Sequence, residues 1–300
     1  MKLSGLHLLL TYQCTFECEH CFVWGSPWQT GTLTLENIRH IVREAQALGT
    51  ITSMYFEGGE PFLYYATLLA GVRLAKAAGF EVGIVSNSYW ATSVEDAVEW
   101  LRPFAGLIDD LSVSSDLFHY DEMLSRQARN ASTAAGQLGI PIGTISIASC
   151  ETVDPTLAVG QLPESESGVM YRGRAAVKLS GKARHYPWSQ FTECPYEGLR
   201  DPGRVHVDPL GNLHICQGIV IGNLFQMPLK EICERYDPDH HPIAGPLLRG
   251  GPIGLVEDYS VPHRAEYADA CHLCYETRRA LRDQFPEILT PDQVYGVGLN

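Results

Sequence analysis

Three hundred residues with 45% apolar side chains can bury a sizeable core, as one large domain or two smaller ones. The 22 basic against 35 acidic residues give a net charge of -13, which argues against nucleic acid as a partner, because that binding draws on Lys and Arg neutralising phosphates. No apolar run approaches the roughly eighteen residues of a membrane span and no export signal follows Met1, so a cytoplasmic protein without membrane contact is expected. In that compartment nine cysteines read as metal ligands rather than disulfides.

The first predicted strand covers residues 6–11 and runs into Cys14, Cys18 and Cys21. Three thiols so closely spaced can aim at one point, one short of the four that normally close an iron–sulfur cube. Such a cube would keep one iron open to a small ligand. A closed zinc site is the alternative, although zinc prefers two separated pairs. Residues 25–31 are turn-rich, and Trp24 and Trp28 are expected to cover the thiols. Thr34 then caps a helix with an apolar stripe of Leu35, Ile38, Ile41, Ala45 and Leu48, ended by Gly49.

Strand and helix alternate from there. Strands are predicted over 52–56, 81–85, 111–114 and 142–148. Helices are predicted through Leu68, Val72 and Ala75, over 94–104 with Pro103 interrupting, and through Met123 and Ala131 to Leu138. A sixth strand is placed near 169–177. The alternation predicts a parallel sheet with right-handed crossovers. Polar residues gather after each strand, at the rim where (β/α) barrels build their sites. The segment 150–166 reads as an excursion over that rim. Beyond residue 182 the alternation stops, and a hairpin is predicted from 204–207 and 213–216.

The cysteine loop with Phe22 behind it, followed about forty residues later by Gly58, Gly59, Glu60 and Pro61, resembles the signature of the radical S-adenosylmethionine (radical SAM) superfamily. The resemblance implies a partial (β/α)6 TIM-like barrel in an α/β chain, spanning residues 1–185. It implies a [4Fe–4S] cluster on Cys14, Cys18 and Cys21 that binds S-adenosylmethionine (SAM) at its open iron. SAM is then cleaved to a 5′-deoxyadenosyl radical that removes a hydrogen atom from substrate. By position, Gly58, Gly59 and Glu60 would hold the methionine ammonium group, and Ser86, Asn87, Ser114 and Asp116 would face the methionine carboxylate and ribose. Gly143 and Ile145 half match the family's adenine stretch, with Ile147 in place of its second glycine. Each Ser, Asn or Asp could equally cap the next helix. Arg172 and Arg174, in the one concentrated basic segment, are candidates to bind a carboxylate of SAM or substrate.

Cys194, Cys216, Cys271 and Cys274 form a second set, enough to close a cluster completely. With Gly211 before Cys216 and Gly222, Asn223 and Leu224 after it, residues 186–300 resemble the auxiliary-cluster extensions called SPASM and Twitch. The short cysteine series implies the Twitch form, an α+β extension with one auxiliary [4Fe–4S] cluster. A four-cysteine zinc site would use the same residues. Cys233 reads as a core residue. Cys150, at the end of the fifth strand, is a candidate hydrogen donor to a substrate radical.

Three readings compete. The first is oxidation of a small metabolite, natural-product intermediate or peptide, by dehydrogenation or cross-linking, with a flavodoxin- or ferredoxin-like protein as reductant. The second is redox-neutral epimerisation through Cys150. The third is a non-catalytic iron–sulfur or zinc protein. With the cysteine loop beginning at residue 14, no preceding peptide-recognition domain is expected, which tilts the expectation towards a small molecule.

Overall fold

The computed structural model describes residues 1–121, 124–148, 150 and 167–298. Its centre is β1 (Leu3–Thr11), where Leu6, Leu8, Leu9 and Leu10 are all buried. A strand apolar on both faces belongs in the middle of a sheet covered on both sides. β1 pairs in parallel with β2 (Ser53–Gly58), followed outward by β3 (Glu81–Ser86), β4 (Asp110–Ser114) and β5 (Ile142–Ile145), all parallel.

The crossovers are α1 (Leu35–Leu48), α2 (Tyr65–Ala77), α3 (Val94–Leu101) and α4 (Arg126–Leu138). α1 opens with a capping box between Thr34 and Asn37 and buries Ile38, Ile41, Val42 and Ala45. Each such side chain contributes about 2 kcal/mol of apolar burial. α3 ends where Pro103 forces a short 3-10 turn, and α4 starts after Ser125, whose side chain accepts from the Ala128 N–H. Met123, expected within that helix, lies outside the described residues, as does most of the 150–166 excursion.

The sixth parallel strand is not at 169–177. Ser167 makes a single parallel bridge to Ile147, and Arg174–Lys178 is a short helix, α5. After a two-residue strand, β6 (Tyr186–Pro187), the chain returns to the other edge of β1. There β7 (Gly203–Val207) pairs in parallel with it, His7 opposite His206. The edge of β1 that offered a full row of backbone partners is thus taken by β7.

β8 (Asn212–Cys216) and β9 (Ile219–Asn223) extend the same sheet antiparallel, giving eight strands in the order β5-β4-β3-β2-β1-β7-β8-β9. Helices α6 (Leu229–Arg235), α7 (Ala244–Tyr259) and α8 (Ala270–Ala280) follow, with β10 (Glu266–Tyr267) pairing with β6. Cys233 is buried in α6. Among the described residues no helix is long and apolar enough to cross a membrane.

Candidate active site

The loop leaving β1 carries Cys14, Cys18 and Cys21 over the end of the parallel strands. Its backbone is pinned by Cys14 N–H donating to Ser26 O (2.9 Å) and Cys21 N–H to Cys18 O (3.1 Å). Donors already face two of the sulfurs: Gly25 N–H stands 3.2 Å from Cys21 Sγ, and Asn87 Nδ2 is 3.5 Å from Cys14 Sγ. Burial, and then nearby negative groups including Cys21, push the Cys14 thiol up to about 12. Burial and the neighbouring thiols push Cys18 higher still. Three thiols sharing a buried site with so little compensating positive charge are a donor set suited to a metal cluster.

Residues 58–60 lock onto this loop through backbone. Gly59 N–H donates to Thr11 O (2.7 Å) and Glu60 N–H to Gln13 O (2.8 Å). A Cβ on Gly59 would lie 2.0 Å from Gln13 O, so only glycine allows the approach. The Glu60 side chain is fixed by neighbouring donors. Its carboxylate accepts from Phe62 N–H (3.0 Å), Ser86 Oγ (2.9 Å) and Asn87 N–H (2.8 Å) and is fully buried, which pushes it up to about 7 despite those donors. The Glu60 side chain therefore ties β2 to β3.

A cavity of about 300 Å³ opens beside the three thiols. Of the residues singled out from sequence, it collects Phe22, Gly58, Gly59, Ser86, Asn87, Ser114, Asp116 and Arg172 around Cys14, Cys18 and Cys21; Ile145 and Ile147 also line it. Asn87 reaches the cysteine loop as well, Nδ2 donating to Thr15 Oγ1 (3.0 Å). Asp116 is buried with Oδ1 accepting from Phe118 N–H (3.0 Å) and close to His119 Nδ1 (2.8 Å), while Oδ2 accepts from Ile147 N–H (3.2 Å). His20 and His119 also line the cavity, and burial lowers the His20 imidazole to about 4.

Three expectations are corrected. Arg174 does not face the cavity. Its guanidinium donates to Cys18 O (2.9 Å) and Gly25 O (2.8 Å), and its backbone N–H to Cys21 O (2.9 Å), so it serves as an internal strut of the cysteine loop. α5 comes this close because Gly173 has φ +58° and a Cβ there would meet Phe22 O at 2.6 Å. Trp28 is 81% exposed and covers nothing, whereas Trp24 stacks 5.2 Å from the Arg174 guanidinium. Cys150 lines a different cavity of about 550 Å³ together with Val169, Tyr171, Tyr186, Tyr196 and Asp269. Nearby, Met170 and Arg172 line the thiol cavity while Val169 and Tyr171 line this one.

The second cysteine set converges as well. Cys194, Cys216, Cys271 and Cys274 line one small space with Arg172 and Arg278. Cys216 ends β8, and Cys271 and Cys274 occupy the first turns of α8, whose cap Asp269 accepts from His272 N–H (2.7 Å). Burial and the neighbouring thiols push Cys194 up to about 12. Two buried cations stand against these thiols. Arg278 is 1% exposed and donates to Gln217 O (2.7 Å), and Arg172 donates to Glu197 (2.8 Å). Arg172 thus lines both cysteine sites, with its guanidinium carbon 5.5 Å from the centre of the Phe22 ring.

Among the lining residues that sequence reasoning passed over, with His20 and His119, is Glu57, which enters the thiol cavity from β2 with His7 of β1 and His206 of β7 beside it. The available signal was a single histidine flanked by apolar residues in each of two strands.

Comparison with known proteins agrees with this geometry. Residues 8–134 match the model of the radical SAM superfamily. The chain is 30% identical over 122 residues to YydG of Bacillus subtilis (strain 168), whose name assigns it to peptide biosynthesis; the match covers 40% of this chain and 38% of that protein. It is 29% identical over 119 residues to an S-adenosylmethionine-dependent nucleotide dehydratase of Fibrobacter sp. (strain UWH6), covering 37% of this chain and 33% of that one. The chain therefore spans less than half the length of these curated relatives. Among solved structures, BtrN in complex with AdoMet and 2-DOIA superposes with a TM-score of 0.50 at 14% identity, covering 77% of this chain and 83% of that one, a likeness of fold. The part of the chain that matches the radical SAM superfamily model, residues 8–134, contains the strand, the cysteine loop and the Gly58–Gly59 strand end.

Proposed function

We propose that this chain is an oxidising radical SAM enzyme with two iron–sulfur sites, acting on a small metabolite, natural-product intermediate or peptide by dehydrogenation or cross-linking. The observation that carries this reading is the convergence of four further cysteines on one space that shares Arg172 with the first cavity. In it, residues 1–185 are the radical SAM part and residues 186–300 a Twitch-like extension.

Cys14, Cys18 and Cys21 would hold a [4Fe–4S] cluster with one iron left for SAM. The bound pair supplies, on reduction by a small flavodoxin- or ferredoxin-like protein, a 5′-deoxyadenosyl radical able to take a substrate hydrogen. The chain's residues position that chemistry. Gly58 and Gly59 bring bare backbone to the cavity wall where the methionine ammonium group would lie. Ser86, Asn87, Ser114 and Asp116 set hydrogen-bonding groups along the rim for its carboxylate and ribose, and Phe22 closes the side towards the second site.

Cys194, Cys216, Cys271 and Cys274 would close an auxiliary [4Fe–4S] cluster with no open iron, which suits electron transfer and not substrate ligation. Arg172 and Arg278 offset the charge of its thiolates. Cys150 faces the other cavity, and nothing in its placement favours epimerisation.

The test is iron and sulfide content after anaerobic reconstitution, with SAM cleavage assayed on the same sample. About eight irons and eight sulfides per chain are expected, falling to about four in Cys271→Ala/Cys274→Ala with SAM cleavage retained. Four irons plus one zinc in the wild type would refute the auxiliary cluster and with it the oxidative reading.

A further inference from the structure

Three potential ligands meet on neighbouring strands inside the sheet. His206 Nε2 lies 2.9 Å and His7 Nδ1 3.4 Å from Glu57 Oε1, and one ligand atom from each residue falls within 4.8 Å of the others. Contacts of this length would ordinarily be hydrogen bonds. Yet, although both imidazoles stand at ion-pairing distance, Glu57 Oε1 is buried without a hydrogen bond of good angle to either ring. A buried carboxylate oxygen left unpaired costs about 1–3 kcal/mol or more.

We propose that His7, Glu57 and His206 form a mononuclear site for a divalent transition-metal ion. Metal–ligand distances of about 2.0–2.2 Å place neighbouring ligand atoms about 3–3.4 Å apart. The observed 2.9 and 3.4 Å separations bracket that spacing. An ion off the N···O lines would account for the poor ring angles and satisfy Glu57 Oε1 together. Two imidazoles and one carboxylate form a donor set that takes Zn²⁺, Fe²⁺, Mn²⁺ or Co²⁺ and leaves positions open.

The surroundings fix the ligands. The Tyr55 ring stacks on His7 at 4.9 Å and 11°, and His206 packs against Phe22 at 6.1 Å. Glu57 is the member of the trio that lines the thiol cavity, so an ion held by the trio would stand beside that space. The cysteines take no part in this site, and the inference holds whatever the reaction.

The experiment is a titration of Co²⁺ into the reconstituted, cluster-loaded full chain, followed by its visible ligand-field band, with zinc content measured in parallel. One equivalent of cobalt is expected to bind without a sulfur-to-cobalt charge-transfer band, and zinc is expected to displace it. Glu57→Gln and His206→Gln should each weaken binding at least tenfold while sulfide content stays at the wild-type level. If Glu57→Gln loses its clusters, His7→Gln on the partly exposed side gives the same reading. The proposal is overturned if loaded wild type takes up no cobalt, if the spectrum shows thiolate ligation, or if the variants bind as well as the wild type.

Discussion

Arg172 and Cys216 meet at the junction of the two cysteine sites, Nη1 standing 3.7 Å from Sγ while the same nitrogen donates to Glu197. Arg172→Met removes positive charge from beside the second thiol set and leaves Glu197, 14% exposed at its side chain, without its partner. We expect a loss of about 3 kcal/mol in stability. If the second site holds a cluster, its midpoint should also move to more negative potential. Anaerobic urea unfolding and an EPR-monitored redox titration measure the two effects separately.

Arg174→Ala should strike the first cluster without touching the cavity wall. Its guanidinium satisfies Cys18 O and Gly25 O from a buried position, and each carbonyl left unpaired costs about 1–3 kcal/mol. The expected result is reduced iron and sulfide at the three-cysteine site, seen as a stoichiometry below that of wild type. If Arg174 bound substrate instead, the iron would be retained and KM would rise.

Gly59→Ala is expected to abolish stable folding of the loop. The new methyl group would lie 2.0 Å from Gln13 O, and relief requires moving the cysteine loop itself. A cost above about 3 kcal/mol follows, measurable as a lower urea midpoint and failure to bind iron. Gly136→Ala, with open space around it on α4, serves as the control and should be neutral or stabilising by about 0.5–1 kcal/mol.

Glu60 makes stability depend on pH. Burial raises its carboxyl from 4.5 to about 7, so between those values the native state holds a proton that the unfolded chain has released. Its contribution is therefore complete below about 4.5 and is lost as pH rises through about 7. Other groups titrate nearby, so the informative quantity is the stability of wild type minus that of Glu60→Gln. That difference should shrink from pH 5 to pH 8 by up to about 3 kcal/mol in paired urea titrations.

The parts of this molecule written in local sequence were readable without coordinates. The Cys14–Cys21 spacing, the Thr34 cap and the strand–helix alternation through β5 all depend on residues within a turn or two of one another. What escaped depends on partners far along the chain. β7 could not be recognised as the neighbour of β1, because nothing near residue 203 states which edge it will meet. The same distance hid the trio of His7, Glu57 and His206, which exists only once β1, β2 and β7 lie side by side. The side-chain directions of Glu60 and Arg174 were hidden for another reason. Their residue types suit a ligand as well as a strut, and only the direction of the side chain separates the two.

The parallel pairing of β1 with β7 also bears on synthesis. A nascent chain emerges with five strands long before residues 203–207 leave the ribosome, and until then the leucine-rich β1 forms an outer rim with its backbone groups open. Such a rim recruits other chains. Truncating the protein after α5 should thus give insoluble material in place of a smaller working barrel. The late strand takes the leucine-rich β1 off the rim.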